Sequence, residues 1–200
     1  MPNQEDLHVS SGWEARYQRG DLPWDLGLAP PALVDLLASW PAEPLKVLVP
    51  GAGTGHDALA WAAAGHVVTA VDIAPSAVQA LRNLAADANL SVEGVEGDIF
   101  DLPQAWRGSF DVIWEQTCYC AILPAQRDDY VRAMAAVLRP AGQYVGLFWN
   151  HGMEGGPPWD VTKNDVVARF EGTFEIESLV DVPVSAGTRS HEFLTRMRRR

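Results

Sequence analysis

The feature that most constrains this chain is a glycine-rich turn that follows a short apolar stretch. Residues 47–49 are apolar, and three glycines follow at positions 51, 53 and 55. An acidic residue, Asp72, comes 21 residues after Gly51, at the end of a second apolar stretch. Glycine permits a sharp turn and a close approach of ligand to backbone, and an acid at this distance binds a ribose. The pattern therefore predicts a nucleoside-type cofactor site at a strand–turn–helix unit.

The spacing of the glycines discriminates between cofactors. Sites for nicotinamide dinucleotides use G-x-G-x-x-G, which places a pyrophosphate at the helix N-terminus. Here the third glycine, Gly55, arrives one residue earlier and is preceded by Thr54. This shorter spacing is typical of sites for S-adenosylmethionine, which has no phosphate to hold. A nicotinamide-dependent oxidoreductase is a second hypothesis, and the spacing argues against it.

Strand-like and helix-like segments alternate over the middle of the chain. After a polar N-terminal segment, helices are predicted at residues 30–40, 56–65, 75–89, 127–139 and 163–170. Strands are predicted at residues 46–50, 66–72, 91–98, 109–117 and 143–150, and a closing hairpin at 174–183 and 190–198. The alternation predicts an α/β fold: a doubly wound, mostly parallel seven-stranded sheet with an antiparallel edge strand.

Length and charge exclude several classes of protein. A chain of 200 residues suits one domain, and its apolar runs are too short to span a bilayer. The polar, acidic N-terminus does not resemble a signal peptide. A net charge of −11 repels a phosphate backbone, so we predict neither a nucleic-acid partner nor a membrane partner. Four arginines lie in the last five residues, where a solvated, frayed end is expected.

The two cysteines indicate the compartment. Cys118 and Cys120 are too close in sequence for a disulfide framework, and their spacing fits neither a zinc site nor a usual redox pair. We therefore expect reduced thiols in a cytoplasmic protein, no metal, and a monomer by default.

Two further pairs of residues complete the predicted crevice. Asp98 and Ile99 follow the third strand, where a carboxylate can accept from an adenine amino group while an apolar side chain packs on the ring. Glu115 and Gln116 end the fourth strand, at the rim where open α/β sheets bind ligands.

Three aromatic residues precede the first predicted helix. Either they pack the N-terminal segment on the core, or their rings attract a positively charged sulfur, and the two roles are compatible. The three residues are Trp13, Tyr17 and Trp24.

Four segments resemble class I S-adenosylmethionine-dependent methyltransferases of the thiopurine, thiol and halide methyltransferase family. They are Trp13-Glu14-x-Arg16-Tyr17 with Pro23-Trp24-Asp25, Val49-Pro50-Gly51-x-Gly53 with Gly55-x-Asp57, Pro124-x-x-Arg127-x-x-Tyr130, and Glu154-Gly155-Gly156-Pro157-Pro158. The Val-Pro-Gly and Gly-Gly-Pro-Pro segments are the most specific parts of this resemblance.

The resemblance implies a lid at residues 1–30 and a methyltransferase domain at residues 31–200, within one structural domain. Gln116 departs from the family, whose members have Arg or Tyr there, and Tyr17 replaces a common Trp. The implied contacts to S-adenosylmethionine are Trp13, Tyr17, Trp24, Gly51, Gly53, Asp72, Ile73, Asp98, Ile99, Glu115 and Gln116.

The implied reaction transfers a methyl group to a small soft nucleophile, such as a thiol, thiopurine, hydrosulfide or halide, and leaves S-adenosylhomocysteine. Such nucleophiles need positioning and exclusion of water more than a base, so we assign no catalytic base. Arg127 could form a salt bridge instead of binding the acceptor, and His151 could be a solvated loop residue. An oxygen or nitrogen acceptor and a non-catalytic cofactor-binding module stay open as alternatives. The acceptor-side candidates are Tyr119, Arg127, Trp149, His151 and Trp159, together with Cys118.

Overall fold

The computed structural model describes residues 10–185, 187 and 189–200. Its helices are α1 Ser10–Arg19, α2 Pro31–Ala38, α3 His56–Ala63, α4 Pro75–Asp87, α5 Arg127–Val137 and α6 Lys163–Phe170. Its strands are β1 Lys46–Pro50, β2 Val67–Asp72, β3 Val92–Glu96, β4 Phe110–Gln116, β5 Leu138–Trp149, β6 Phe174–Asp181 and β7 Glu192–Arg199.

These strands form one sheet in the order β3-β2-β1-β4-β5-β7-β6. Strand β1 pairs in parallel with β2 on one side and β4 on the other, and β7 runs antiparallel to both β5 and β6. The predicted fold class is therefore confirmed, with the reversed strand lying second from the edge. Strand order reverses between β1 and β4, and ligands of open α/β sheets bind at the carboxyl ends of strands at such a point.

Two clusters of buried apolar side chains hold the helices on the sheet. One contains Leu33 of α2, Trp61 of α3 and Trp114 of β4. The other contains Tyr130 of α5 and Phe170 of α6. Burying an apolar side chain of this size stabilises a fold by about 1.5–3 kcal/mol. The packing therefore fixes the strand ends at which the glycine turn lies.

Helix α1 was not predicted, because the N-terminal segment is polar and lacks a strong apolar stripe. A tertiary contact anchors it instead: the Glu14 carboxylate accepts hydrogen bonds from the Ser76 backbone N–H at 2.9 Å and from its hydroxyl at 2.5 Å. These bonds attach α1 to the first turn of α4.

The expectation of a frayed C-terminal end was wrong. Strand β7 extends to Arg199 and pairs along its length with β5 and β6. Arg198 Nε donates to Glu177 at 2.7 Å, and Arg200 Nε donates to the Phe174 carbonyl at 3.2 Å. Strand pairing on both sides, which local sequence does not reveal, orders these arginines. Within the described residues, no helix is both long and apolar enough to cross a membrane.

Candidate active site

The glycine turn after β1 lies against the end of β2. Gly51 and Gly53 have φ angles of +57° and +56°, in the left-handed region that glycine adopts without steric cost. The Gly53 N–H donates to Asp72 Oδ2 at 2.8 Å. A Cβ on Gly51 would lie only 2.7 Å from Cys118 Sγ. The turn therefore brings bare backbone against both the Asp72 carboxylate and the loop that follows β4.

Asp72 ends β2 and is only 8% exposed. Its Oδ1 accepts from the Ala74 N–H at 2.9 Å, and its Oδ2 accepts from Gly53. Burial raises the pKa of Asp72, whereas these backbone hydrogen bonds oppose the rise. Each carboxylate oxygen has more than one acceptor position, so Asp72 can also accept from ligand hydroxyls.

A cavity of about 530 Å³ lies beside Asp72 at the carboxyl ends of the strands. Small-molecule sites enclose about 300–1,000 Å³, so this cavity has the size of a ligand site. Most of the predicted cofactor contacts line it together: Trp13, Tyr17, Trp24, Gly51, Asp72, Ile73, Asp98 and Ile99. Gly53, Glu115 and Gln116 lie outside its lining.

Residues 10–30, called here the lid segment, form one wall of the cavity. The Trp24 ring packs edge-on against Trp13 and Tyr17, with ring centroids 5.3 and 5.8 Å apart. Asp25 Oδ2 accepts from the Thr54 hydroxyl of the glycine turn at 2.7 Å. The structure therefore brings the three predicted aromatic residues together beside the turn.

Glu115 lies below the cavity rather than in its wall. Its side chain is 1% exposed, and Oε1 accepts from the Tyr119 N–H at 2.8 Å. Oε2 has no hydrogen-bond partner among the described residues. Burial raises the pKa of Glu115 from an ordinary 4.5 to about 8, although amide hydrogen bonds from Tyr119 and Cys118 oppose the shift. Glu115 thus shapes the loop that places Cys118 against the glycine turn.

We expect Glu115→Gln to remove a pH dependence of stability. The folded chain keeps a proton on Glu115 between about pH 4.5 and about pH 8, whereas the unfolded chain loses it. A raised folded-state pKa makes stability fall as pH rises through this window, by about 1.4 kcal/mol per pH unit. Urea unfolding of wild type and variant at pH 5, 6, 7 and 8 measures the difference, with the exposed Glu171→Gln as control. A wild-type-minus-variant difference that stays constant with pH would contradict a buried, protonated Glu115.

Gln116 links two side chains that the sequence did not connect. In the amide orientation that its neighbours require, Nε2 donates to Asp57 Oδ2 at 2.7 Å and Oε1 accepts from Arg189 Nη1 at 3.0 Å. Asp57 also accepts from Trp114 Nε1 at 2.6 Å. Gln116 is therefore a polar bridge behind the cavity wall.

Among the six predicted acceptor-side residues, Cys118 and Trp149 line the cavity. The other four, Tyr119, Arg127, His151 and Trp159, do not. Arg127 is 3% exposed and forms a salt bridge with Asp165 at 2.9 Å. Its guanidinium lies 4.5 Å from the Tyr119 ring centroid, and the Tyr119 hydroxyl donates to the same carboxylate at 3.1 Å. The salt-bridge alternative for Arg127 is thus the one found, because Asp165 of α6 lies across from it.

His151 and Trp159 shape the loop after β5. The His151 ring packs on Trp149 with centroids 4.8 Å apart, and its Nδ1 accepts from the Met153 N–H at 3.1 Å. The Trp159 N–H donates to the Cys120 carbonyl at 2.7 Å. Both residues contact residues that line the cavity, Trp149 and Cys120, but do not line it themselves.

Several lining residues were missed from the sequence. Thr117 has φ +63°, a conformation that β-branched residues rarely adopt, and no local pattern signals it. Arg189 comes from the β6–β7 connection, which is distant in sequence from every motif. The missed residues are Arg16, Pro23, Leu26, Phe100, Thr117, Cys120, Ala121, Ile122, Gln126, Met153, Pro157, Pro158 and Arg189.

Comparison with known proteins identifies a family. The family described as thiopurine S-methyltransferase (TPMT) matches residues 8–197. The chain belongs to the thiopurine S-methyltransferase family. A probable thiol methyltransferase 2 of Arabidopsis thaliana is 31% identical over 188 residues, covering 90% of this chain and 80% of that protein. Thiocyanate methyltransferase 1 of Brassica oleracea is 32% identical over 188 residues, covering 89% of this chain and 80% of that protein.

Solved structures agree with the fold of this family member. One, from a study of the conversion of a disulfide bond into a thioacetal group during echinomycin biosynthesis, superposes with a TM-score of 0.81 at 23% identity. The superposition covers 95% of this chain and 92% of the chain in that structure. A Burkholderia thailandensis 1,6-didemethyltoxoflavin-N1-methyltransferase, solved with S-adenosylhomocysteine, gives a TM-score of 0.74 at 21% identity. The superposition covers 100% of this chain and 90% of that one.

As a thiopurine S-methyltransferase family member, the chain is an S-adenosylmethionine-dependent enzyme that transfers methyl groups to small, soft nucleophiles. The predicted cofactor and reaction class are confirmed. The described residues fit this cofactor: Gly51 leaves a cradle that a Cβ would fill, and Asp72 keeps acceptor positions free for a ribose. The aromatic wall suits a positively charged sulfur.

Proposed function

We propose that this enzyme methylates the sulfur of a small organic thiol. One observation carries the proposal: the cavity that Asp72 and Gly51 line also has a mostly apolar wall, formed by the loop after β4, the end of β5 and the loop after β5. We call this wall the acceptor chamber. It comprises Cys120, Ala121, Ile122, Gln126, Trp149, Met153, Pro157 and Pro158.

The chemistry of the acceptor chamber supports a soft acceptor atom. None of these eight residues is a carboxylate or a histidine that could act as a base. Burial raises the pKa of Cys120 to about 12, so this thiol stays neutral. A hydrated oxygen or nitrogen nucleophile would lose hydrogen bonds in such surroundings, whereas a polarisable sulfur with an apolar substituent loses little.

When bound, S-adenosylmethionine supplies a methyl group on a positively charged sulfur. Asp72 would accept hydrogen bonds from its ribose, Asp98 and Ile99 would hold the adenine, and Gly51 would give its methionine end access to the backbone. The lid segment would exclude water from the cavity. The acceptor thiol would release its proton to solvent and bind as the thiolate. The acceptor chamber would hold the thiolate sulfur in line with the methyl group, which is the main contribution that such a transfer needs.

We also propose that the lid spans residues 1–30 and covers a methyltransferase domain at residues 31–200; residues 1–9 lie outside the described residues. We further propose a cytoplasmic monomer that has neither a nucleic-acid partner nor a membrane partner. The net charge of −11 supports the absence of a nucleic-acid partner. The free, buried Cys118 and Cys120 support a reducing compartment.

The test is a panel of methyl acceptors with purified protein and S-adenosylmethionine. We expect thiophenol and a thiopurine to yield S-adenosylhomocysteine and the thioether at least about tenfold faster than catechol yields a methyl ether. Hydrosulfide and iodide show whether the chamber needs an organic substituent. Equal or faster methylation of catechol would contradict a thiol acceptor. Tight cofactor binding without turnover of any acceptor would instead favour a non-catalytic binding module.

A further inference from the structure

Arg189 connects three parts of the molecule around the cavity. Its Nη2 donates to the Trp24 carbonyl of the lid segment at 2.8 Å, and its Nη1 donates to Gln116 Oε1 of β4 at 3.0 Å. Glu192, at the start of β7, lies 3.8 Å from Nη1. The Arg189 side chain is 7% exposed and lines the cavity. A guanidinium with fixed, charge-assisted hydrogen bonds is a rigid connector.

We propose that Arg189 is the latch that holds the lid segment over bound cofactor and so controls cofactor release. This inference rests on the proposed function only in placing the cofactor beneath the lid segment. Arg189 acts through Trp24 and Gln116, which makes it a positioning residue.

The lid segment is attached at several points, and Arg189 holds the one nearest Trp24. On the side of the glycine turn, Asp25 accepts from the Thr54 hydroxyl, and His56 Nε2 lies 3.4 Å from Asp25 Oδ1. On the opposite side, Arg189 bonds a backbone carbonyl, and the neighbouring Gly187 packs so closely on Leu26 that a Cβ would lie 3.1 Å from it. Besides these Asp25 contacts and the Glu14–Ser76 hydrogen bonds, the β6–β7 connection therefore fastens the lid segment at a third point, where Arg189 is the positively charged member.

The latch is anchored in the sheet by a polar chain. Gln116 donates to Asp57 at 2.7 Å, and Asp57 is held by Trp114 Nε1 at 2.6 Å. Trp114 is fully buried in the core. This series of hydrogen bonds therefore fixes Arg189, and through it the lid segment, relative to strand β4.

This arrangement gives cofactor release a pH dependence. Burial raises the pKa of Asp57 to about 6, against the opposing effects of Trp114 and Arg189. The other titratable groups around it are Asp25 with its partner His56, the protonated Glu115, and Glu192 beside Arg189. Below about pH 6 Asp57 is protonated, so Arg189 loses a negative neighbour and the latch weakens.

The test measures dissociation of S-adenosylhomocysteine by stopped-flow tryptophan fluorescence in wild type, R189M, R189K and the control R198M. Arg198 lies in the same hairpin but pairs with Glu177, away from the lid segment. We expect R189M to release the ligand at least about tenfold faster, since a charged hydrogen bond is lost. R189K should lie between wild type and R189M, and R198M should stay within about twofold of wild type.

Two further readouts separate a latch from a general loss of structure. Bound S-adenosylhomocysteine should slow tryptic cleavage after the exposed Arg19 in wild type and R198M but protect R189M poorly. Wild-type release should accelerate as pH falls through about 6, and R189M should lack this step. Asp72 touches the ligand in both proteins, so its titration cancels in the comparison.

Unchanged ligand release and unchanged tryptic protection in R189M would overturn the latch. A higher acceptor KM with unchanged ligand release would also overturn it, because Arg189 would then bind the acceptor. If R189M does not fold, the graded comparison of R189K with R198M decides. A wild type that binds S-adenosylhomocysteine but methylates no thiol leaves these tests intact and refutes only the proposed acceptor.

Discussion

Asp72→Ala is expected to weaken binding of S-adenosylhomocysteine by about 100-fold or more. The carboxylate is 8% exposed at the end of β2 and would accept two hydrogen bonds from the ribose. Hydrogen bonds to a charged group contribute about 1.5–3 kcal/mol each, and about 1.4 kcal/mol corresponds to tenfold in affinity. Titration calorimetry at a temperature at which circular dichroism shows a folded variant measures the loss.

The matched control for this prediction is Glu96→Ala. Glu96 pairs with Asp72 across β2 and β3 and is exposed, yet it does not line the cavity. Its removal should change affinity less than about threefold. Because Asp72 also accepts from Gly53 and Ala74, Asp72→Asn serves as a second, less disruptive variant. Wild-type-like affinity in both Asp72 variants would show that the ribose binds elsewhere.

Gly55→Ala is expected to destabilise the fold by about 2–5 kcal/mol, the sum of two effects. Gly55 has φ +95°, in which an alanine is strained by about 1–2 kcal/mol. A Cβ there would also lie 2.5 Å from Leu81 Cγ of α4, and overpacking of this kind costs about 1–3 kcal/mol. Unfolding in urea, read by circular dichroism, gives the change in free energy.

Gly65→Ala separates the two effects. Gly65 has nearly the same φ, +92°, but a Cβ built on it meets nothing within 4 Å. It should therefore show the backbone strain alone, and Gly55→Ala should exceed it by the cost of the contact with Leu81. Equal destabilisation by the two variants would mean that α4 moves aside freely and that the third glycine is not a packing requirement.

The sheet could be predicted from the sequence because its signals are local. The apolar stretches of β1 and β2, the glycine turn and Asp72 each indicate their own conformation, and together they define the carboxyl edge of the sheet. Strand β5 shows that local sequence signals do not define every strand boundary. Its predicted start was residue 143, but it begins at Leu138, which pairs with Phe110 before an irregularity in the ladder. Pairing with a distant strand overrode the local turn signal of Pro140 and Gly142.

The candidate site could be predicted only in part, for a physical reason. Gly51 and Asp72 line the cavity, as predicted, because one follows and the other ends an apolar strand that the local sequence indicates. A side chain whose neighbours are set by tertiary packing has no such signal. Arg127 was predicted to bind the acceptor, but it forms a salt bridge with Asp165 of α6 and does not line the cavity. Arg189 was missed for the converse reason, because its partners Trp24 and Gln116 are distant in sequence.

Cofactor and acceptor are expected to share one cavity beneath the lid segment. A crystal structure with S-adenosylhomocysteine would show whether they do. We expect the ribose hydroxyls within hydrogen-bond distance of Asp72, the adenine against Ile99, and the sulfur facing the acceptor chamber at Met153 and Pro157. A ligand whose sulfur faces away from that chamber, or which binds outside the cavity, would contradict a shared cavity for cofactor and acceptor.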